Sequence, residues 1–195
     1  MQPDFLVSKL RQRDRETVKL VYELFRQDVF MVVYGLTRDH TLAEDACHEA
    51  FAKLLEHVDE LRDATKLKYW LIRVGLNEAW SRLREQGRLA PNGMDYLSLV
   101  RCPADGPEDV VISDEENRAI RILVSRLPLQ HRTIVAMRYG LGMGLEEIST
   151  ILEIPKGTVK SRLSRAVDTL RRRWYHCRQG SKVTRSKGVP EVEAR

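Results

Sequence analysis

In the stretch EISTILEIPKGTVKSRLSRA, residues 147–166, apolar side chains recur at helical spacing on both sides of Pro155. Pro155 has no amide donor and holds the preceding Ile154 away from the helical region, so a helix must stop there. Proline is nevertheless accommodated in a helix's first turn, and a second helix can begin almost at once. The two halves therefore read as a helix-turn-helix. Leu145, Ile148, Ile151 and Leu152 give the first helix an inward side. At 100° per residue, the second groups Val159, Leu163, Ala166, Val167 and Leu170 on one side. Opposite them lie Ser161, Ser164 and Arg165, flanked by Thr158 and Lys160, with Lys156 and Arg162 adding charge. Such a face supplies donors for phosphate oxygens and for guanine edges in a major groove. Gly157 permits close backbone approach, and Arg171, Arg172 and Arg173 extend the basic run. An amphipathic hairpin with a solvated basic face is the plainer alternative.

Helical spacing also dominates elsewhere, and no run of alternating β-branched and aromatic residues argues for strands. The expected fold class is all-α, with two small helical domains joined by a flexible linker. A helix over residues 14–36 gathers Val18, Val21, Phe25, Val29 and Val32. Another opens at Thr41, which with Glu44 forms a capping-box pattern, and runs toward Val58. Its inner seam is Cys47, Ala50, Phe51, Leu54 and Val58, while Asp45, Glu49 and Glu56 share the outer face and His48 lies near them.

The helical pattern breaks after residue 84 in a stretch with Pro91, Gly93, Pro103, Gly106 and Pro107, too long for an ordinary loop. Net charge sums to 0 over residues 1–84, −6 over 85–117 and +11 over 118–195. A basic C-terminal third is the electrostatic footprint of a phosphate-binding unit. The acidic middle reads either as a solubilising tether or as a segment that occupies a positively charged groove. The tail 176–195 has little apolar periodicity and is expected to be disordered.

At 195 residues and 43% hydrophobic, the chain can bury one ordinary core or two small ones. No apolar run is long enough to span a bilayer and no secretory signal opens the chain, so a cytoplasmic location and no membrane insertion are expected. Cys47, Cys102 and Cys177 lie far apart and read as reduced thiols. No cofactor, catalytic group or metal site is expected. Asp45 and Glu49 share a helix face, but no third ligand completes a metal centre.

The segment LRDATKLKYWLIRVGLNEAWSRLRE, from residue 61, combines positive charge with aromatics, and a helical wheel clusters Tyr69, Arg73, Asn77, Trp80 and Arg84. Aromatic surfaces stack unpaired bases while arginines follow phosphates, which suits single strands. Tyr69 and Trp80 fit packing equally well, and Trp70 beside Leu71 and Val74 is expected in the core. Lys66 and Lys68 are placed to meet a nucleic-acid backbone.

LPLQHRTIVAMRYGLGMGLEEISTILEIPKGTVKSRLSRAVDTLRRR, from Leu127 to Arg173, resembles region four of bacterial RNA polymerase sigma factors of the sigma-seventy class, especially the extracytoplasmic-function group. LAEDACHEAFAKLLEH resembles region two, and WLIRVGLN resembles its minus-ten motif, with Gly75 where alanine is usual. Other departures are His48 for glutamine, Asp63 and Leu67 for a glycine and an aromatic in the flipped-base loop, and Glu153 for a turn glycine.

The resemblance implies that residues 1–84 hold core RNA polymerase and the melted minus-ten element. The core contact, with the β′ clamp helices, would fall to Asp45, His48, Glu49 and Glu56. The minus-ten contact would fall to Lys66, Tyr69, Arg73, Asn77, Trp80 and Arg84. Residues 118–175 would read the double-stranded minus-thirty-five element through Lys156, Thr158, Lys160, Ser161, Arg162, Ser164 and Arg165. The linker would thread near the polymerase's active channel. The β subunit and an anti-sigma factor are further partners the family suggests. Phosphodiester chemistry would belong to the polymerase, and this chain would not be an enzyme. The rival is an ordinary helix-turn-helix regulator whose N-terminal half senses a ligand or dimerises.

Overall fold

The computed structural model describes residues 3–61, 63–88 and 115–185. Among them every regular element is helical: α1 (Pro3–Arg11), α2 (Arg15–Thr37), α3 (His40–His57), α4 (Leu67–Glu85), α5 (Glu115–Ser125), α6 (Leu129–Val135), α7 (Leu145–Leu152) and α8 (Lys156–Arg185). Helices α2, α3 and α4 form an N-terminal bundle braced by α1, and α5 to α8 form the C-terminal unit.

Asp14 starts α2 by accepting hydrogen bonds from the amide and hydroxyl of Thr17 at 2.9 and 2.6 Å. The helix ends where Arg38 turns left-handed at φ 57° and its amide bonds back to Tyr34. That turn throws Asp39 into an extended conformation, so its carboxylate, not Thr41, caps α3 by accepting from the Leu42 amide at 3.1 Å. Thr41 lies inside the first turn, a correction to the sequence expectation. The expected seam is buried, with Ala50 fully enclosed and Cys47, Leu54 and Val58 at 3% exposure or less.

In α4, Leu71, Ile72, Leu76 and Ala79 are fully buried against α2 and α3. Gly75 makes this approach possible, since a Cβ there would lie 2.9 Å from Val29 Cγ1. Leu67, expected in the base-binding loop, is instead core at 2% exposure. Burying its aliphatic side chain is more favourable than leaving it in water.

The C-terminal unit closes around Leu127, Ile134, Met137, Ile148, Val159 and Ala166. Between α6 and α7 the chain makes a π-helical turn, Ala136–Gly140. Helix α7 begins with the Gly144 amide donating to Glu147 Oε2 at 2.5 Å and ends at Glu153, which adopts the left-handed φ of 53°. Ser149 donates to the Ile154 carbonyl at 2.6 Å and fixes the turn before Pro155.

Two expected boundaries move. Helix α5 opens at Glu115, inside the stretch assigned to the linker, and residues 89–114 of that linker lie outside the described residues. Helix α8 continues to Arg185, into the tail expected to be disordered from 176. Once nucleated, a helix propagates through good formers such as Arg, Gln and Lys at little further cost. Residues 186–195 lie outside the described residues.

The two units share one buried apolar cluster, in which Met137, Met143, Ile148 and Ile151 join Leu71, Ile72 and Leu76. Arg132, only 4% exposed, fastens them together. Its Nε donates to the Gly35 carbonyl at 2.5 Å and its Nη2 to that of Leu36 at 2.7 Å, while Nη1 reaches Ser125 at 3.1 Å in its own unit. A guanidinium suits that position, because the last carbonyls of α2 carry the negative end of the helix dipole.

Candidate nucleic-acid interface

Helix α8 separates its faces as the sequence expects. Val159 and Ala166 are fully buried and Leu163 and Leu170 are half-buried, whereas Lys156, Lys160, Ser161, Ser164 and Arg165 are exposed. Thr158 and Arg162 stand at the margin, half-buried. Lys156 is ion-paired with Glu146 on α7, which holds the helix start against its neighbour. Farther along the helix Arg173 donates to the Arg126 carbonyl at 3.0 Å. Behind the basic face sits His131 of α6, whose Nδ1 is enclosed without a hydrogen-bond partner among the described residues. Burial, then the charges of Arg162 and Arg165, hold its pKa below the ordinary histidine value. Sequence reasoning passed over His131, because only packing places it under those arginines.

On α4, Arg73, Asn77 and Arg84 are exposed, with Tyr69 and Trp80 half-buried along the same row. Tyr69, Trp70 and Trp80 all rest partly on the apolar core, so each ring anchors on one side and offers the other. Trp70 is half-buried where the sequence expected core. The loop before α4 carries two short 3-10 turns, Val58–Glu60 and Ala64–Lys66. Asp63 caps the second by accepting from the Thr65 amide at 3.0 Å, and Lys66 pairs with it at 3.3 Å. Lys68 does not face the same way as Lys66: it pairs with Asp28 of α2 at 2.7 Å.

The acidic set on α3 is only partly gathered. Asp45 and Glu56 are exposed and Glu49 is half-buried on one side of the helix. Asp45 pairs with Arg82 of α4 at 3.0 Å. His48 turns instead toward α2, where its Nε2 lies 3.1 Å from the Tyr22 hydroxyl. Beneath it the Cys47 thiol is buried, and desolvation pushes its pKa up to about 11.

Helix α7 lies over α4. Tyr69 donates to Glu147, and Arg73 forms an ion pair with Glu153. The hydrogen bond from Tyr69 and that from the Gly144 amide hold the Glu147 carboxyl below its ordinary range, and the same contact raises Tyr69. The sequence marked Glu153 only as a departure from glycine and did not single out Glu147 at all.

An all-helical chain with a basic helix-turn-helix and an aromatic, basic helix in a separate bundle defines a two-part nucleic-acid-binding protein. Residues 21–89 match the family model for sigma-70 region 2 and residues 117–170 match that for sigma-70 region 4. The chain belongs to the sigma-70 family, in its extracytoplasmic-function group, and acts as a sigma factor in transcription initiation. It is 26% identical over 174 residues to the ECF RNA polymerase sigma factor SigW of Bacillus subtilis, covering 85% of this chain and 93% of that protein. To the ECF RNA polymerase sigma-E factor of Escherichia coli K12 it is 27% identical over 173 residues, covering 85% and 90%. In fold it is similar to the sigma factor RpoE of Bartonella quintana, solved in complex with the anti-sigma factor NepR, with a TM-score of 0.65 at 22% identity over 79% of this chain and 94% of that one. With a region-2 match filling the N-terminal half, the ligand-sensing regulator is not favoured.

Proposed function

We propose that the chain divides promoter recognition between two faces and leaves chemistry to the polymerase. The α8 face of Lys156, Thr158, Lys160, Ser161, Arg162, Ser164 and Arg165 enters the major groove of the minus-thirty-five element. The α4 row of Tyr69, Arg73, Asn77, Trp80 and Arg84, with Lys66, captures the melted minus-ten strand. Asp45, Glu49 and Glu56 meet the β′ clamp helices, with His48 at the edge of that contact. The chain works in the cytoplasm and catalyses no step itself; among the described residues no helix is long and apolar enough to cross a membrane. An anti-sigma factor belongs to this reading, since the similar RpoE fold was solved holding one.

The observation that carries it is the division of α8, with Val159 and Ala166 fully buried and Arg165 exposed opposite them. The test is runoff transcription on genomic fragments with core polymerase. Arg165→Ala is expected to lower initiation at minus-thirty-five-dependent promoters by about 5- to 150-fold, the equivalent of one lost base contact of roughly 1–3 kcal/mol, with core association retained. Unchanged promoter use would remove the assignment of this face.

A further inference from the structure

Helix α8 runs well past the segment that reads as a recognition helix. The match to sigma-70 region 4 ends at residue 170, whereas the helix continues to Arg185, about 22 Å further. Residues 171–185 carry Arg171, Arg172, Arg173, Arg178, Lys182 and Arg185 with no carboxylate, and residues 186–195 sum to zero charge.

Two ordinary explanations fall short. Cations near a helix C-terminus gain from the dipole, but that gain fades within the last turn and does not reach Arg171, Arg172 or Arg173. Packing does not account for the run either. Beyond the half-buried Trp174 the apolar positions are Tyr175, Cys177 and Val183, which share no side of the helix, and Tyr175 is 61% exposed. Arg178 and Lys182, one turn apart, repel each other until an anion lies between them.

The cations are also ordered. At 100° per residue, positions 171, 178 and 182 lie within about 40° of Lys160 and Ser164. The basic edge of the recognition face therefore continues as one stripe about 33 Å long. Arg172 and Arg173 donate to the carbonyls of Asp168 and Arg126. Arg171 meets Asp168 at 3.8 Å in an exposed pair, a contact worth little in water.

We infer that residues 171–185 form a second DNA contact, in which Arg171, Arg178 and Lys182 hold phosphates of the duplex flanking the minus-thirty-five element without reading its sequence. The inference rests on the reading of α8 as the minus-thirty-five helix. Lys156 to Arg165 spans about 14 Å, which already matches a major groove about 12 Å wide. A helix seated there by its first turns must pass over the bordering sugar-phosphate strand as it continues. Duplex DNA offers a charge every 1.7 Å or so along its axis, so a stripe of this length has phosphates to meet. Such a contact adds affinity and salt dependence, while base discrimination stays with the first turns.

The test uses holoenzyme reconstituted from core polymerase and the full chain. It is titrated by anisotropy against a fluorescein-labelled promoter fragment selected by runoff transcription, at a series of potassium chloride concentrations. Arg171→Gln with Arg178→Gln and Lys182→Gln is expected to lower the slope of log affinity against log salt by about 2–3. Affinity at about 0.1 M salt should fall at least ten-fold, with promoter preference unchanged. Arg171→Lys with Arg178→Lys should keep the native slope, because a phosphate accepts a point charge; if the glutamine variant has lost helix by circular dichroism, Lys182→Gln alone should lower the slope by about 1.

Methylphosphonate linkages on one flank of the minus-thirty-five element, tried on each flank in turn, locate the contact. On one flank they should weaken native holoenzyme and leave the glutamine variant unaffected. An unchanged salt slope, or equal losses for both proteins on both flanks, overturns the inference. So does an unchanged slope accompanied by weaker binding of the variant to phosphatidylglycerol vesicles, which would make the stripe a lipid contact. Should the holoenzyme select no promoter, the sigma reading fails. The salt slope of the free full chain on a thirty-base-pair random duplex, native against variant, then still decides whether residues 171–185 hold phosphates.

Discussion

A Cβ added at Gly75 would lie 2.9 Å from Val29 Cγ1 and 3.1 Å from Val33 Cγ2. Both neighbours are β-branched and hold a single χ1 well in a helix, so neither can swing aside cheaply. Gly75→Ala gains up to about 1 kcal/mol of helix propensity but meets about 1–3 kcal/mol of overpacking. The net expectation is a loss of about 1 kcal/mol, read as a lower urea midpoint at unchanged slope. The sequence showed that Gly75 stands where the family has alanine; the reason lies on α2. Cys47 makes a second residue-scale prediction. With its pKa at about 11 and its side chain buried, it stays a protonated thiol near neutrality. Iodoacetamide at about pH 8 should leave Cys47 unlabelled by peptide mass mapping until urea unfolds the bundle, and rapid native labelling would contradict the packing.

At the scale of elements, α6 and α8 are coupled through His131. Burial, and after it Arg162 and Arg165, lower its pKa, so the folded unit disfavours the imidazolium more than the unfolded chain does. A lowered folded value means the contribution to stability is complete above the ordinary histidine pKa. It declines as the pH falls below that value, until the lowered one is passed. Stability of the native chain should therefore weaken as the pH falls below the ordinary histidine pKa, and His131→Gln should flatten that part of the profile. An unaltered profile would show that His131 does not titrate differently on folding. The helix boundaries teach a related lesson. Asp14, Pro155 and the apolar seams were legible, because they act within one turn of their own residues. The Asp39 cap was missed in favour of Thr41, because it depends on the left-handed Arg38 just before it.

For the whole molecule the decisive residue is Arg132, whose guanidinium serves carbonyls of both units at once. Lysine keeps the charge but lacks the planar fork, so it cannot satisfy the same acceptors together. Arg132→Lys is expected to raise the radius of gyration of the free chain, by small-angle scattering, from near the roughly 16 Å of a compact chain this long to above about 20 Å. Helical content should be retained, and an unchanged radius would show that the apolar contacts alone hold the units together. The sequence by itself determined the all-helical class, the two units, the Pro155 break and the sorted faces of α8, because each follows from propensity and periodicity over a few neighbouring residues. Only the tertiary structure decided that His48 turns to Tyr22, that Leu67 is core, and that Glu147 and Glu153 sit on Tyr69 and Arg73. Those pairings join residues up to 80 positions apart. An exposed carboxylate carries the same local signal whether it faces water or another helix, so no periodic pattern could announce them.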